Sequence, residues 1–168
     1  MMILVISGTP GVGKTYIAKK LSKASGSRLK YFDLNKYIKE NRLFNRYDRK
    51  SKTYDVDIKK IKKNMPKLQH SKDEHMDKFV NKIIHTSELI KTISKLKQTG
   101  TIIDSHLSHH LDCDYCIIVR SDIKTLNKRL EVRKYPRAKI QENIESEIFE
   151  VCLDEARGLN RKVIIIEN

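Results

Sequence analysis

An α/β domain, with a parallel sheet covered by helices on both faces, is the fold class this sequence predicts, and three observations predict it. The chain opens on an apolar strand, Met2 to Ser7, that runs into Gly8-Thr-Pro-Gly-Val-Gly-Lys14-Thr15 and then into a helical pattern. Strand-like and helix-like segments alternate from there to residue 168. The later strand candidates are nearly pure Val and Ile, the composition expected when a parallel sheet is buried on both sides. One domain is the simplest organisation for 168 residues, and it is long enough to bury a real core.

The glycine-rich turn has the spacing G-x-x-x-x-G-K-T of a phosphate-binding P-loop. Gly11 and Gly13 let the backbone take conformations closed to other residues, so successive amide N–H groups can point into one anion-sized hollow. Lys14 adds a full positive charge, the following helix turns its N-terminal dipole toward the same point, and the Thr15 hydroxyl is placed to ligate Mg²⁺ on a bound nucleotide. A glycine-rich turn with an incidental lysine is the competing account; the strand before it and the helix after it argue for the P-loop.

Tyr16 to Ser25 continues the helix, with Ile17, Ala18 and Leu21 at helical spacing and Gly26 placed to end it. Arg28 to Phe32 reads as a second strand, and Asp33 caps a short helix after it. Leu43 to Tyr54 has no clean period and reads as an exposed, basic, aromatic-bearing loop. Asp57 begins another helical turn that Pro66 stops. Ser71-Lys-Asp-Glu74 matches a capping box. Behind it Met76, Phe79, Val80, Ile83 and Ile84, then Leu89, Ile90, Ile93 and Leu96, form an apolar stripe expected for a packed helix or helix pair, interrupted around Thr86 and Ser87. A core face is a simpler account of that stripe than a partner surface.

Gly100 releases the chain into a buried strand, Thr101 to Asp104, and Tyr115 to Val119 forms another after a His-rich loop. Ser121 is expected to cap a helix running to about Arg133, Tyr135-Pro136 to break it, and Ile140 to Arg157 to form a last helix ended by Gly158. Lys162 to Ile166 closes the sheet. No internal repeat is present.

Composition narrows the surroundings. The net charge is +14, and residues 28 to 97 hold 20 of the 35 Lys and Arg but only 9 of the 21 Asp and Glu. Such a stretch attracts nucleotides, RNA or an acidic protein surface, or else is simply a lysine-rich solvated face. Three cysteines exclude a disulfide framework and fit a reducing compartment. No apolar run approaches the roughly 20 residues that span a bilayer, and the start carries no basic leader, so a soluble cytoplasmic protein with no membrane partner is expected.

Asp104 ends its strand where ligands bind in open α/β sheets, so it can hold Mg²⁺ opposite Thr15, or merely cap a turn. Arg129 and Arg133 lie four apart on one helix and can converge on a polyphosphate, or pair with acids such as Glu131. His106, two residues past Asp104, can orient a phosphate or a water, or be an ordinary loop histidine. His106, His109, His110, Cys113 and Cys116 raise a zinc reading, weakened by the single Cys pair and by the apolar strand that contains Cys116. No Asn-Lys-x-Asp follows the P-loop, which argues against a signalling GTPase.

Taken together, Gly8 to Thr15, Arg42-Leu-Phe-Asn-Arg-Tyr-Asp48, Ile103-Asp-Ser-His-Leu-Ser-His109, Lys128-Arg-Leu-Glu-Val-Arg-Lys-Tyr135 and Asn143-Ile-Glu-Ser-Glu-Ile-Phe149 resemble the adenylate kinase isoenzyme six family, which has a nuclear branch in eukaryotes and members in archaea. The His-Leu-Ser-His segment looks more like the archaeal branch. The resemblance implies a P-loop nucleoside monophosphate kinase fold with a five-stranded parallel sheet and a single domain spanning residues 1–168. Within it, the monophosphate-binding region lies near 31–54 and a short lid near 132–142. It implies transfer of phosphate from Mg²⁺-bound ATP to AMP, a secondary ATPase activity, and a part in small-subunit rRNA maturation through a ribosomal protein. It assigns the ATP phosphates to Gly11, Val12, Gly13, Lys14, Thr15 and Tyr16, the lid contact to Arg133, magnesium and hydrolysis to Asp104 and His106, and the monophosphate to Lys39. Two departures stand out: Lys134 replaces a usual glycine in the lid hinge, and a helical segment near 66–90 looks inserted. The rival readings are a ribosome-assembly ATPase acting mainly through partner binding, and a P-loop kinase for another small acceptor, similar to shikimate kinases.

Overall fold

Every residue of β1 (Met2–Ser7) is buried, as six consecutive uncharged residues can be at the centre of a sheet covered on both faces. The computed structural model describes residues 1–49, 53–65 and 72–168. After β1 come α1 (Lys14–Ala24), β2 (Leu29–Asp33), α2 (Leu34–Glu40), β3 (Arg46–Asp48), β4 (Thr53–Asp55), α3 (Ile58–Asn64) and α4 (Glu74–Asp77). Then follow β5 (Ile83–Ile84), α5 (Thr86–Lys95), β6 (Gly100–Asp104), a 3₁₀ turn (Ser108–His110), β7 (Tyr115–Arg120), α6 (Ile123–Val132), α7 (Arg137–Ile148), α8 (Val151–Gly158) and β8 (Val163–Glu167).

The main sheet runs β2-β6-β1-β7-β8-β5, all neighbours parallel. Strand alternation divides the core in two. Met2, Leu4 and Ile6 of β1 pack with Ile17 and Leu21 of α1, Leu89 and Ile93 of α5, and Leu126 and Leu130 of α6. Ile3 and Val5 face Leu34 and Ile38 of α2, Ile61 of α3, and Leu153 and Ala156 of α8. The alternation of period two along one strand thus decides which helices lie on which face.

Among the described residues the sheet has six strands, one more than the five expected, and the extra one is β5. Its isoleucines sit in the stretch whose spacing predicts a helix. Asn81 takes a left-handed φ of 62° that ends the helical turn before it. Its N–H then donates to Val163 O (2.6 Å) and Lys82 O accepts from Ile165 N (3.0 Å), so the chain docks on the open edge of β8. Met76, Phe79 and Ile84 still join one core cluster, which explains why a helical spacing was visible across an element boundary.

Other boundaries moved for local reasons. Residues 43–54 carry a short antiparallel pair, β3 with β4, where Tyr54 packs against Phe44 and Tyr47, both at 4.7 Å between ring centroids. The predicted final helix is two, because Glu150 adopts φ 53°; its carboxylate binds Arg120, beside Glu147. Asp122, not Ser121, caps α6, accepting from Thr125 N at 2.9 Å. Asp73 caps α4; Ser71 of the predicted capping box, the Pro66 stop and residues 50–52 of the loop lie outside the described residues. Asp33 and Asp57 cap α2 and α3 as expected.

Candidate active site

The P-loop leaves the carboxyl end of β1, at the middle of the sheet, and enters α1 through two glycines with φ of 107° (Gly11) and 102° (Gly13). Only a residue without a side chain holds such values cheaply, and Gly13 is the residue before the first helical turn. Lys14 folds back over the loop, its ammonium donating to Gly8 O (2.7 Å) and Thr9 O (2.9 Å). Burial lowers its pKa from 10.5 to about 8, against the charge of Asp104, which raises it.

Thr15 Oγ1 donates to Asp104 Oδ2 at 2.6 Å, so the residue pair expected to flank the metal is assembled from α1 and β6. The Tyr31 hydroxyl donates to the same oxygen at 3.2 Å. Burial raises the Asp104 pKa, and the Thr15 and Tyr31 hydrogen bonds with the Lys14 charge work against that. Two hard oxygen donors beside a phosphate-binding loop fit magnesium well. His106 lies in the same wall, and burial pushes its pKa down to about 4, so its ring is neutral at physiological pH.

Two hollows open on either side of the loop. One is a cleft of about 650 Å³ that runs from Lys14, Thr15, Asp104 and His106 to Asn35, Ile38, Lys39 and Tyr54. The other, about 600 Å³, is a groove lined by Tyr16, Lys128, Arg129, Val132 and Asn168. Gly11, Gly13, Tyr16 and Arg133 line both. Arg133 therefore stands at the junction, whereas Arg129 is tied to the loop itself, donating to Val12 O at 3.1 Å. Glu131 accepts from Asn127 at 2.8 Å. Lys39 lies at the far end of the cleft, its ammonium 5.2 Å from the Tyr54 ring centroid. Across the cleft mouth, Lys139 of α7 donates to Thr53 Oγ1 of β4 at 2.8 Å.

The Cys–His zinc reading is not what folds. Cys116 is buried in β7, and burial pushes its thiol far up and that of Cys113 to about 12, disfavouring the thiolates a metal needs. The metal-competent group among the described residues is His109, His110 and Glu155. Tyr31, Asn35, Tyr54, Lys139 and Asn168 were not singled out by sequence. Tyr31 reaches Asp104 because β2 pairs in register with β6, with Asp33 opposite Asp104, a neighbourhood that no local pattern in the sequence shows.

The AAA domain family matches residues 4–150. The chain is 35% identical over 157 residues to the "Putative adenylate kinase" of Methanocaldococcus jannaschii, spanning 94% of this chain and 73% of that protein. It is 34% identical over 168 residues to the "Adenylate kinase isoenzyme 6 homolog" of Schizosaccharomyces pombe, spanning 98% and 79%. The chain belongs to this adenylate kinase family. The resemblance carried by the motifs is borne out, and the protein is an enzyme of the nucleoside monophosphate kinase class. In this family member the P-loop, Thr15 and Asp104 come together at one end of the sheet. Among solved structures, shikimate kinase from Bacteroides thetaiotaomicron aligns over 99% of this chain and 85% of that one, at a TM-score of 0.46 and 11% identity, too distant to bear on function. No helix among the described residues is long and apolar enough to cross a membrane.

Proposed function

We propose that this protein transfers the terminal phosphate of Mg²⁺-bound ATP to AMP, giving two ADP. The observation that carries the reading is the pair of hollows meeting at one phosphate loop, with Gly11, Gly13 and Arg133 common to both. In this reading ATP lays its adenosine along the groove of Tyr16, Lys128, Val132 and Asn168, with its phosphates in the loop of Gly11 to Tyr16. AMP enters the cleft by Asn35, Lys39 and Tyr54. Its phosphate is already anionic at neutral pH, so transfer needs positioning and charge neutralisation rather than a general base.

Lys14 leaves the Gly8 and Thr9 carbonyls to follow the β- and γ-phosphates, a change favoured because the phosphates replace two neutral acceptors with negative charge. Thr15 and Asp104 would hold the magnesium ion, which supplies charge neutralisation at the phosphates when bound. Arg133 accompanies the transferring group, Arg129 braces the loop through Val12 O, and neutral His106 orients a phosphate oxygen or, when AMP is absent, a water for slow hydrolysis. The segment 132–142 acts as the lid and 31–54 as the monophosphate side; the Lys139–Thr53 hydrogen bond links the two and supports their joint closure over the cleft.

Incubation with Mg²⁺ and ATP, with and without AMP, tests this directly. AMP-dependent ADP formation that is lost in Lys14→Ala is expected; full activity in that variant, or preference for another small acceptor in a panel, overturns it. A second reading, a cytoplasmic ATPase that assists small-subunit rRNA maturation by binding a ribosomal protein or rRNA, is favoured by the basic stretch from 28 to 97 and by three free cysteines suited to a reducing compartment.

A further inference from the structure

His109 and His110 follow one another on the 3₁₀ turn after β6, and their ring centroids are 4.1 Å apart. Glu155 of α8 brings one carboxylate oxygen to 2.8 Å from His109 Nε2 and 3.7 Å from His110 Nε2. One donor atom from each of the three residues falls within 4.8 Å of the others. We propose that these three side chains form a binding site for a divalent transition metal of the zinc type at the rim of the nucleotide cleft. It is separate from the Thr15–Asp104 pair and does not depend on the phosphoryl-transfer reading.

Metal–ligand bonds of about 2.0–2.2 Å place tetrahedral ligands roughly 3.5 Å apart, so the observed spacings need only a small adjustment. Glu155 can make it, since its side chain is 46% exposed. The backbone that carries the two histidines is held in place. Arg161 donates to the carbonyls of His109 and His110, both at 3.2 Å, and the Ser108 hydroxyl donates to Ile6 O at 2.9 Å.

The hydrogen-bond partners of His109 point the same way. Ser7 Oγ donates to His106 O at 3.1 Å and lies 2.7 Å from His109 Nδ1. In the tautomer whose Nδ1–H donates to the serine oxygen, the Nε2 lone pair of His109 is left to bind a metal beside a carboxylate oxygen. Neutral imidazoles with free lone pairs are what a metal requires, and the Ser7 contact is the outer partner that metal-bound histidines ordinarily have. Two nitrogens and one carboxylate oxygen suit zinc better than magnesium, which prefers oxygen alone. All three residues line the cleft, which leaves a fourth position for water or a ligand oxygen.

The test is calorimetric titration of the full chain, stripped of metal, with Zn²⁺ in the presence of excess Mg²⁺, paired with the visible spectrum on adding Co²⁺. One equivalent of Zn²⁺ with micromolar or tighter affinity and a tetrahedral Co²⁺ spectrum are expected. His110→Ala and Glu155→Gln, both at partly exposed side chains, should each weaken Zn²⁺ at least tenfold, and Ser7→Ala by about 10- to 100-fold, with unchanged circular dichroism. No stoichiometric binding, binding undiminished in His110→Ala and Glu155→Gln, or binding abolished by alkylating the cysteines, would overturn the site.

Discussion

Lys14 has to be charged to hold phosphate, yet the fold buries it. Its pKa of about 8 in the free protein, against 10.5 when exposed, has opposite consequences for binding and for stability. For a base whose folded pKa is depressed, the burial penalty is complete below about pH 8 and is relieved as pH rises toward 10.5. The free protein should therefore gain stability from Lys14 between those values, with a slope of up to about 1.4 kcal/mol per pH unit. Burial pushes up the Cys113, Cys116 and Cys152 thiols and the Tyr31 and Tyr115 hydroxyls, so these groups act in the opposite sense: each lowers stability as pH rises through the ordinary thiol value of 9.0 or the tyrosine value of 10.0. Catalytic efficiency should move the other way: kcat/KM for Mg²⁺-bound ATP is expected to fall above about pH 8, while kcat stays flatter because bound phosphates hold the proton on Lys14. Urea midpoints measured from pH 7 to 9.5, alongside rate profiles, check both limbs; the parent's stability should change more favourably with rising pH than that of Lys14→Met, and the difference between the two slopes is the Lys14 contribution. Equal slopes in the parent and Lys14→Met would assign the effect elsewhere.

The hinge between α6 and α7 carries Arg133 into the junction of the two hollows, and it turns on Lys134, which holds φ 52° with its N–H on Glu131 O at 2.8 Å. A left-handed residue with a side chain costs about 1–2 kcal/mol, and more with a branch at Cβ. Lys134→Val is therefore expected to lower stability by about 1–2 kcal/mol and to raise the KM for ATP by displacing Arg133, whereas Lys134→Gly should stay within about 1 kcal/mol of the parent. Denaturant unfolding with steady-state kinetics distinguishes them, and equal behaviour of the two variants would remove the hinge from the argument. The position was legible in sequence as a departure from glycine, but its conformation was not. Legibility elsewhere followed the same division. β1, the P-loop and α1 could be read because an apolar run, fixed glycine spacing and a helical period are all local. β5 could not, since two isoleucines pair with β8 only after Asn81 ends the turn before them. Likewise Glu150 breaks the last helix through a bond to Arg120 thirty residues away. In the site, Thr15 and Asp104 were readable from motif and strand end, while Tyr31 and the double hollow appear only when β2 lies beside β6.

At the scale of the molecule, the basic stretch that is contiguous in sequence is not contiguous in the sheet. The described residues of 28–97 contribute β2 at one edge and β5 at the other, so the charge they carry is divided between both ends rather than gathered in one basin. A spread field attracts polyanions weakly and without register, and its effect should be lost to salt. Within it, α3 is the local concentration: Lys59, Lys60, Lys62 and Lys63 are all exposed, with Ile61 turned into the core between them. If the protein also engages RNA, each lysine that contacts a phosphate there adds about 0.7–0.9 to the slope of log affinity against log salt. Lys59→Glu with Lys63→Glu is therefore expected to weaken rRNA binding and reduce that slope by up to about 2, while AMP-dependent turnover at saturating nucleotide remains near the parent's, because neither residue lines either hollow. Filter binding across a salt series beside the kinase assay measures both. An unchanged slope with unchanged affinity would mean that the charge of α3 is solvated surface, and it would take the RNA-binding reading with it while leaving phosphoryl transfer intact.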